Sequence, residues 1–247
     1  MIHICHAGNR HLYTRQLAEM HRQRFELFVK VKGWNLPVRD GGEYDEGDDD
    51  RAIYLLSIDE EGGCYGSIRV RPADDFSMII DRMPHHVAGG AEALRADPDL
   101  WEMARWINIG NDPSAGQEIR IGLIEYLLRR GANQCLALPD VGMMTYAIRT
   151  GWRLRALGGP LPYPEGGIAV AVSLPITAEE VTYLRELTGR RDVFLMEVDP
   201  NAPWATAPLP VIEAAYVREA AHAADFEDLV ARADRRLREE VQVGLDA

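Results

Sequence analysis

Apolar positions recur at one rhythm in the first half of the chain and at another in the second. Over 10–31, Leu12, Met20, Leu27, Phe28 and Val31 fall on one stripe at broadly helical spacing, which predicts a helix. The polar stretch 33–51 predicts a loop. Two strand-like runs follow, 52–58 and 64–71, and the Asp59-Glu60-Glu61-Gly62-Gly63 link between them reads as a hairpin turn. A short apolar piece at 77–80 and a further strand over 101–109 complete this half.

Helices and strands then alternate. Ile121, Ile124, Leu127 and Leu128 give an inward face to a helix over 117–130, and Gly131 suits its end. Residues 135–138 read as a short buried strand, and 140–150 as a helix opened by Asp140 and stopped by Gly151. Residues 168–174 read as a strand. Thr177, with Glu180 three residues on, opens a helix over 177–188. The stretch 199–210 holds four prolines and predicts an irregular connector. Phe226, Val230, Ala233, Leu237 and Val241 then recur three and four apart, the mark of a long amphipathic helix. This order predicts a three-layer α/β/α sandwich around a mixed, largely antiparallel sheet. One domain is expected over 1–190, with 191–247 as a connector and C-terminal helix.

Composition narrows the class. The 247 residues are 47% hydrophobic and 27% charged, as in a water-soluble globular chain. No run approaches the roughly 20 apolar residues of a membrane helix, and Met1-Ile2-His3-Ile4-Cys5-His6 lacks the look of a signal peptide. Cys5, Cys64 and Cys135 are scattered and odd in number, which points to reduced thiols in a cytoplasm. The net charge of −12 argues against nucleic acid and an anionic membrane as partners. No histidine spacing suggests a metal, so none is expected. A local basic patch stands out over 120–155, with Arg120, Arg129, Arg130, Arg149, Arg153 and Arg155.

Chemistry concentrates in the first 106 residues. Arg24 and Phe28 lie four apart on one helix face, and Gly33-Trp34 follows. An acidic loop carries Glu43, Asp45 and Asp48. Then come Gly66-Ser67-Ile68-Arg69 and Glu102-Met103-Ala104-Arg105-Trp106. Singly, each has an ordinary reading: a surface charge, a packed aromatic, a solvated acidic loop. Their coincidence in this order resembles the acyl-homoserine-lactone synthases, the LuxI-type autoinducer synthases. The resemblance runs through Arg149-Thr150-Gly151-Trp152 and covers about 1–190. The family usually places Phe where Met83 stands here.

The resemblance implies a fold related to the GNAT N-acyltransferases and a two-step reaction for quorum sensing. The amine of S-adenosylmethionine is acylated from an acyl thioester. Its carboxylate then closes a lactone and expels 5′-methylthioadenosine. No cofactor is needed beyond the two substrates. Glu102, or else Glu43, is the expected base. Asp45 and Asp48 can compensate the cationic centres, while Arg24, Arg69 or Arg105 pairs with the carboxylate. Phe28 and Trp34 can stack on adenine or lie beside the sulfonium. Glu102 and Arg105 are three apart, so they share a pocket only if their strand starts late or carries a bulge, and an irregularity is expected there. The acyl tail is expected among Met83, Ile107, Met143, Met144, Ala147 and Ile168. Arg120, Arg149 and Arg153 are candidates to dock coenzyme A phosphates or an acyl carrier protein. An N-acyltransferase for another amine and a non-catalytic ligand sensor are the rival readings.

Overall fold

The computed structural model describes residues 1–109, 113–190 and 195–201. The proline-rich connector beyond 201 and the long amphipathic helix lie outside the described residues.

Twelve strands and four α-helices are present among them. β1 (Ile2–Cys5) opens the chain, followed by α1 (Thr14–Arg24), which continues as a wide helical turn over Phe25–Val31. β2 (Val38–Arg39) and β3 (Gly42–Glu43) form a small hairpin. The long strands are β4 (Ile53–Ile58), β5 (Cys64–Pro72) and β6 (Leu100–Asn108). Then come α2 (Pro113–Arg129), β7 (Gln134–Ala137), α3 (Val141–Arg149) and β8 (Arg155–Ala156). β9 (Leu161–Tyr163) and β10 (Gly167–Ala169) make a second hairpin. β11 (Val172–Pro175), α4 (Ala178–Thr188) and β12 (Leu195–Glu197) finish the described chain.

The main sheet has the order β12-β1-β4-β5-β6-β7-β11-β8. Its pairings are antiparallel except β1 with β12 and β6 with β7. α1 packs on one face, and α2, backed by α4, on the other. The predicted sandwich is therefore present. Its alternation shows in the strands: Leu55, Ile68 and Val70 turn toward α2, while Tyr54 and Leu56 join Met20 of α1. Thr177 caps α4 by accepting the Glu180 N–H at 3.2 Å.

Several expectations shift. Residues 168–174 are two strands. Residues 77–80 belong to a wide helical turn over Met78–Arg82, with Ser77 as its cap. β12 lies beyond residue 190, so the sheet draws on residues assigned to the connector. Asp140 stands at the N-cap of α3 but makes no side-chain cap there. Its carboxylate serves Lys32 and Tyr163 instead.

Candidate active site

Four elements and one loop bring charge to one place on the α1 face. α1 ends on Arg24, the β2–β3 hairpin ends on Glu43, the loop after it carries Asp45 and Asp48, and β5 and β6 supply Arg69 and Arg105. Asp40 and Gly41 both take positive φ, 52° and 76°, which is the geometry of a two-residue hairpin turn. That turn aims Glu43 back at α1. Gly47 lies against Arg69: a Cβ there would sit 2.7 Å from the guanidinium.

The six charges form a closed ring of alternating sign. Glu43 accepts from Arg24 Nε at 2.5 Å. Arg24 grips Asp48 with both terminal nitrogens at 2.7 Å. Asp48 also accepts from Arg69 at 2.8 Å, and Arg69 in turn grips Asp45. Asp45 accepts from Arg105 at 2.7 Å, and Arg105 returns to Glu43 at 3.0 Å. Tyr54 donates to Asp48 at 2.9 Å. Burial alone would push the Asp48 carboxyl up. The Arg24 hydrogen bonds and the Arg69 charge override it and hold it well below the usual carboxylate range. Asp45 is likewise held down by Arg69 and Arg105 against its burial.

The ring is not uniformly hidden. Side chains of Arg24 and Glu43 are 0% exposed, whereas Asp45 is 7% and Arg105 12% exposed. The arginines expected to compete for a substrate carboxylate are thus unequal. Arg24 and Arg69 are filled by protein carboxylates, and Arg105 lies at the opening. Glu43 has both oxygens on guanidinium groups and no surface.

Arg105 reaches the ring because β6 is irregular. Arg69 pairs with Ala104 and Ser67 with Ile107, so two steps on β5 oppose three on β6. Arg105 sits at the extra residue with φ 56°, a left-handed conformation that is strained for a side-chain-bearing residue. The bulge turns Arg105 to the face that carries Arg69 and Glu102.

Glu102 lies beside the ring, close enough for Arg69 to act on it electrostatically. It is buried, and its carboxylate accepts from the Ser77 hydroxyl at 2.5 Å, the Met78 N–H at 3.0 Å and the Ile79 N–H at 3.1 Å. Burial raises its carboxyl above the ordinary value, and these donors only partly offset that. The β6–β7 ladder stops at Glu102–Leu136, while β6 runs on to Asn108. The two strands therefore part just beyond Glu102.

Aromatic rings border the opening. Phe28 and Trp34 stack at 5.0 Å, and Arg105 lies over Phe28 at 5.4 Å. Tyr163 meets Trp34 edge-on at 5.5 Å. Among the described residues no group of three or more His, Cys, Asp or Glu is placed to hold a metal, and no helix is long and apolar enough to cross a membrane.

The profile of the autoinducer synthase family matches residues 9–184. The chain belongs to that family. A curated relative, isovaleryl-homoserine lactone synthase of Bradyrhizobium diazoefficiens, is 28% identical over 76% of this chain and 86% of its own length. An acyl-homoserine-lactone synthase of Pseudomonas aeruginosa is 27% identical over 72% of this chain and 89% of its own. The solved structure of a CoA-dependent acyl-homoserine lactone synthase with SAM and isopentyl-CoA superposes with TM-score 0.73. It is 25% identical and covers 85% of this chain and 99% of its own. The activity is accordingly acyl transfer that yields an acyl-homoserine lactone.

On the acyl half of this autoinducer synthase the expected residues scatter more. Met83 and Ile107 are buried. Ala147 and Met144 pack with Met103, Trp106 and Trp152 in the core beneath α2. Met143 and Ile168 are exposed. Arg120 is unavailable for docking: it donates to the Thr150 and Gly151 carbonyls at 2.5 and 2.6 Å and lies over Trp152. It closes the C-terminus of α3, where carbonyls would otherwise lack donors. Arg153 pairs with Glu180 at 3.0 Å, and Arg149 is exposed.

Reading from sequence passed over His21, Ser77, Lys32 and Tyr163. His21 stacks on Tyr44 at 3.8 Å and donates from Nδ1 to the Glu43 carbonyl at 2.8 Å. Burial and the Arg24 charge lower its pKa to about 4, so it is neutral near pH 7. Its position three before Arg24 on one helix face was the available signal.

Proposed function

We propose that Arg105 and Asp45 seat the amino-acid end of S-adenosylmethionine, that Glu102 accepts the amine proton, and that the acyl donor is an acyl-CoA. The observation that carries this is the ring of alternating charge, open to the outside chiefly at Arg105 and Asp45. The methionine end of that substrate is an ammonium beside a carboxylate. It presents to that pair the same two charges the pair presents to each other, carboxylate toward Arg105 and ammonium toward Asp45. Phe28 and Trp34 flank the adenine or the sulfonium.

Glu102 takes a proton from the ammonium, directly or through a water. The free amine attacks the thioester carbonyl, the oxyanion is met by a backbone N–H, and the thiol leaves as the amide forms. The substrate's own carboxylate then attacks its γ-carbon. The carbon–sulfur bond breaks with its electrons going to sulfur, which releases neutral 5′-methylthioadenosine. That step is intramolecular and depends chiefly on holding the chain folded. The thioester arm fits the gap where β6 and β7 part.

Coenzyme A is favoured as donor by the relative solved with isopentyl-CoA. Residues 1–190 together with β12 form the catalytic unit. The chain works in the cytoplasm, in keeping with its free cysteines.

The test is incubation of purified protein with S-adenosylmethionine and a panel of acyl-CoA and acyl-carrier-protein thioesters, read by mass spectrometry. Lactone and 5′-methylthioadenosine are expected in equal amounts from acyl-CoA. Glu102→Gln is expected to lower kcat by about 10²–10⁴-fold. Turnover confined to carrier-protein thioesters would overturn the donor, and a fully active Glu102→Gln would overturn the base.

A further inference from the structure

We infer that Ser77 is a positioning residue for the reaction: its hydroxyl holds one oxygen of Glu102 and leaves the other to take the substrate's proton. The inference rests on Glu102 being the base.

The hydrogen-bond directions are fixed. Ser77 Oγ accepts from the Ile80 N–H at 3.1 Å. Its single proton is then free to go to Glu102 Oε2, 2.5 Å away. Oε2 also accepts from the Ile79 N–H, so both its lone pairs are used. Oε1 accepts only from the Met78 N–H among the hydrogen bonds described, which leaves it one lone pair. Ser77 is itself fully buried, and its own N–H is held by Asp81 at 2.8 Å. A hydroxyl fixed at both ends sets the plane of the carboxylate, and with it the direction from which Oε1 accepts.

The same hydroxyl opposes the burial that raises Glu102. The charged and titratable groups around that carboxyl are Arg69 and Arg71 on β5, Cys135 on β7, and Asp81 on the turn. Arg69 and the three hydrogen-bond donors favour the ionised form, and burial disfavours it. Removing the Ser77 donor tips this balance toward the protonated acid. A base must be unprotonated to work, so activity is lost as pH falls through its pKa. A higher pKa moves that acid limb upward.

Ser77→Ala is expected to shift the acid limb of kcat/KM up by about one pH unit and to lower kcat roughly tenfold or more, with little change in the KM for S-adenosylmethionine. Ser77→Thr restores both. Should Ser77→Ala fail to fold by thermal unfolding, Ser77→Cys, with a weak donor of similar size, carries the same comparison. An acid limb unmoved in folded Ser77→Ala or Ser77→Cys overturns the inference. Run beside Glu102→Gln, the two readings fail separately. An inactive Glu102→Gln with an unshifted Ser77 variant removes Ser77 alone, while an active Glu102→Gln removes the base itself.

Discussion

Arg24 and Arg105 carry the same charge and serve different ends. Arg24 is sealed between Glu43 and Asp48, and taking either partner away leaves a guanidinium in a place without water. Breaking a buried pair this way costs about 3–5 kcal/mol. Asp48→Ala should therefore lower the unfolding temperature by on the order of 10 °C. Arg105 lies at the opening, so Arg105→Lys should leave unfolding nearly unchanged. It should raise the KM for S-adenosylmethionine about tenfold, because an ammonium lacks the bidentate fork. Equal effects of the two substitutions on stability would contradict the division. Every member of the ring was legible in the sequence as a charged residue in a known order. Which charges meet was not. They arrive from four elements and a loop, and a carboxylate that neutralises a neighbour looks the same in one dimension as one that awaits a ligand.

Elements turn these residues toward each other through irregularities rather than regular geometry. That β6 must either start late or bulge followed from residues three apart having to share a face. The bulge's place at Arg105, and the left-handed backbone there, depend on pairing with β5 and could not be read from β6 alone. The β2–β3 hairpin was within reach, since Asp40-Gly41 is a strong two-residue turn signal. It was hidden in a stretch whose acidic composition reads as loop. β1 is four residues long and was passed over because so short a run has no period to detect. Gly47 tests how closely the acidic loop depends on this layering. Its Cα hydrogens face the Arg69 guanidinium, which is locked on both sides by carboxylates. Gly47→Ala should displace either the loop or Arg69. S-adenosylmethionine binding measured by calorimetry should weaken at least tenfold, at a stability cost of about 1–3 kcal/mol. Unchanged affinity would mean the loop can move aside freely.

At the scale of the whole molecule, the face that carries the site also sets how stability follows pH. His21 is buried under the β2–β3 hairpin as a neutral ring, with its pKa lowered from 6.5 to about 4. Between those values the unfolded chain binds a proton at this position and the folded chain does not. Stability therefore falls as pH drops from about 6.5 toward 4, by at most about 3 kcal/mol from this residue, and the contribution is complete above 6.5. Asp45 and Asp48, held down by their arginines, contribute above the usual carboxylate range and lose that contribution only as pH falls below it. Glu102 and Glu180, both raised by burial, act in the opposite sense over the mildly acid range. The wild-type curve is thus a sum, and a substitution is needed to expose the histidine. His21→Asn places an amide N–H near the position of Nδ1, keeps the bond to the Glu43 carbonyl and removes the titration. Unfolding by urea at pH 7, 6, 5 and 4.5 should show the two proteins converging as pH falls, because only the wild type loses the histidine's share. Parallel curves would mean that the hairpin opens to protonate His21 without unfolding. In that case the ring would lose the support beneath Glu43 in the same pH range, and S-adenosylmethionine affinity would fall with it.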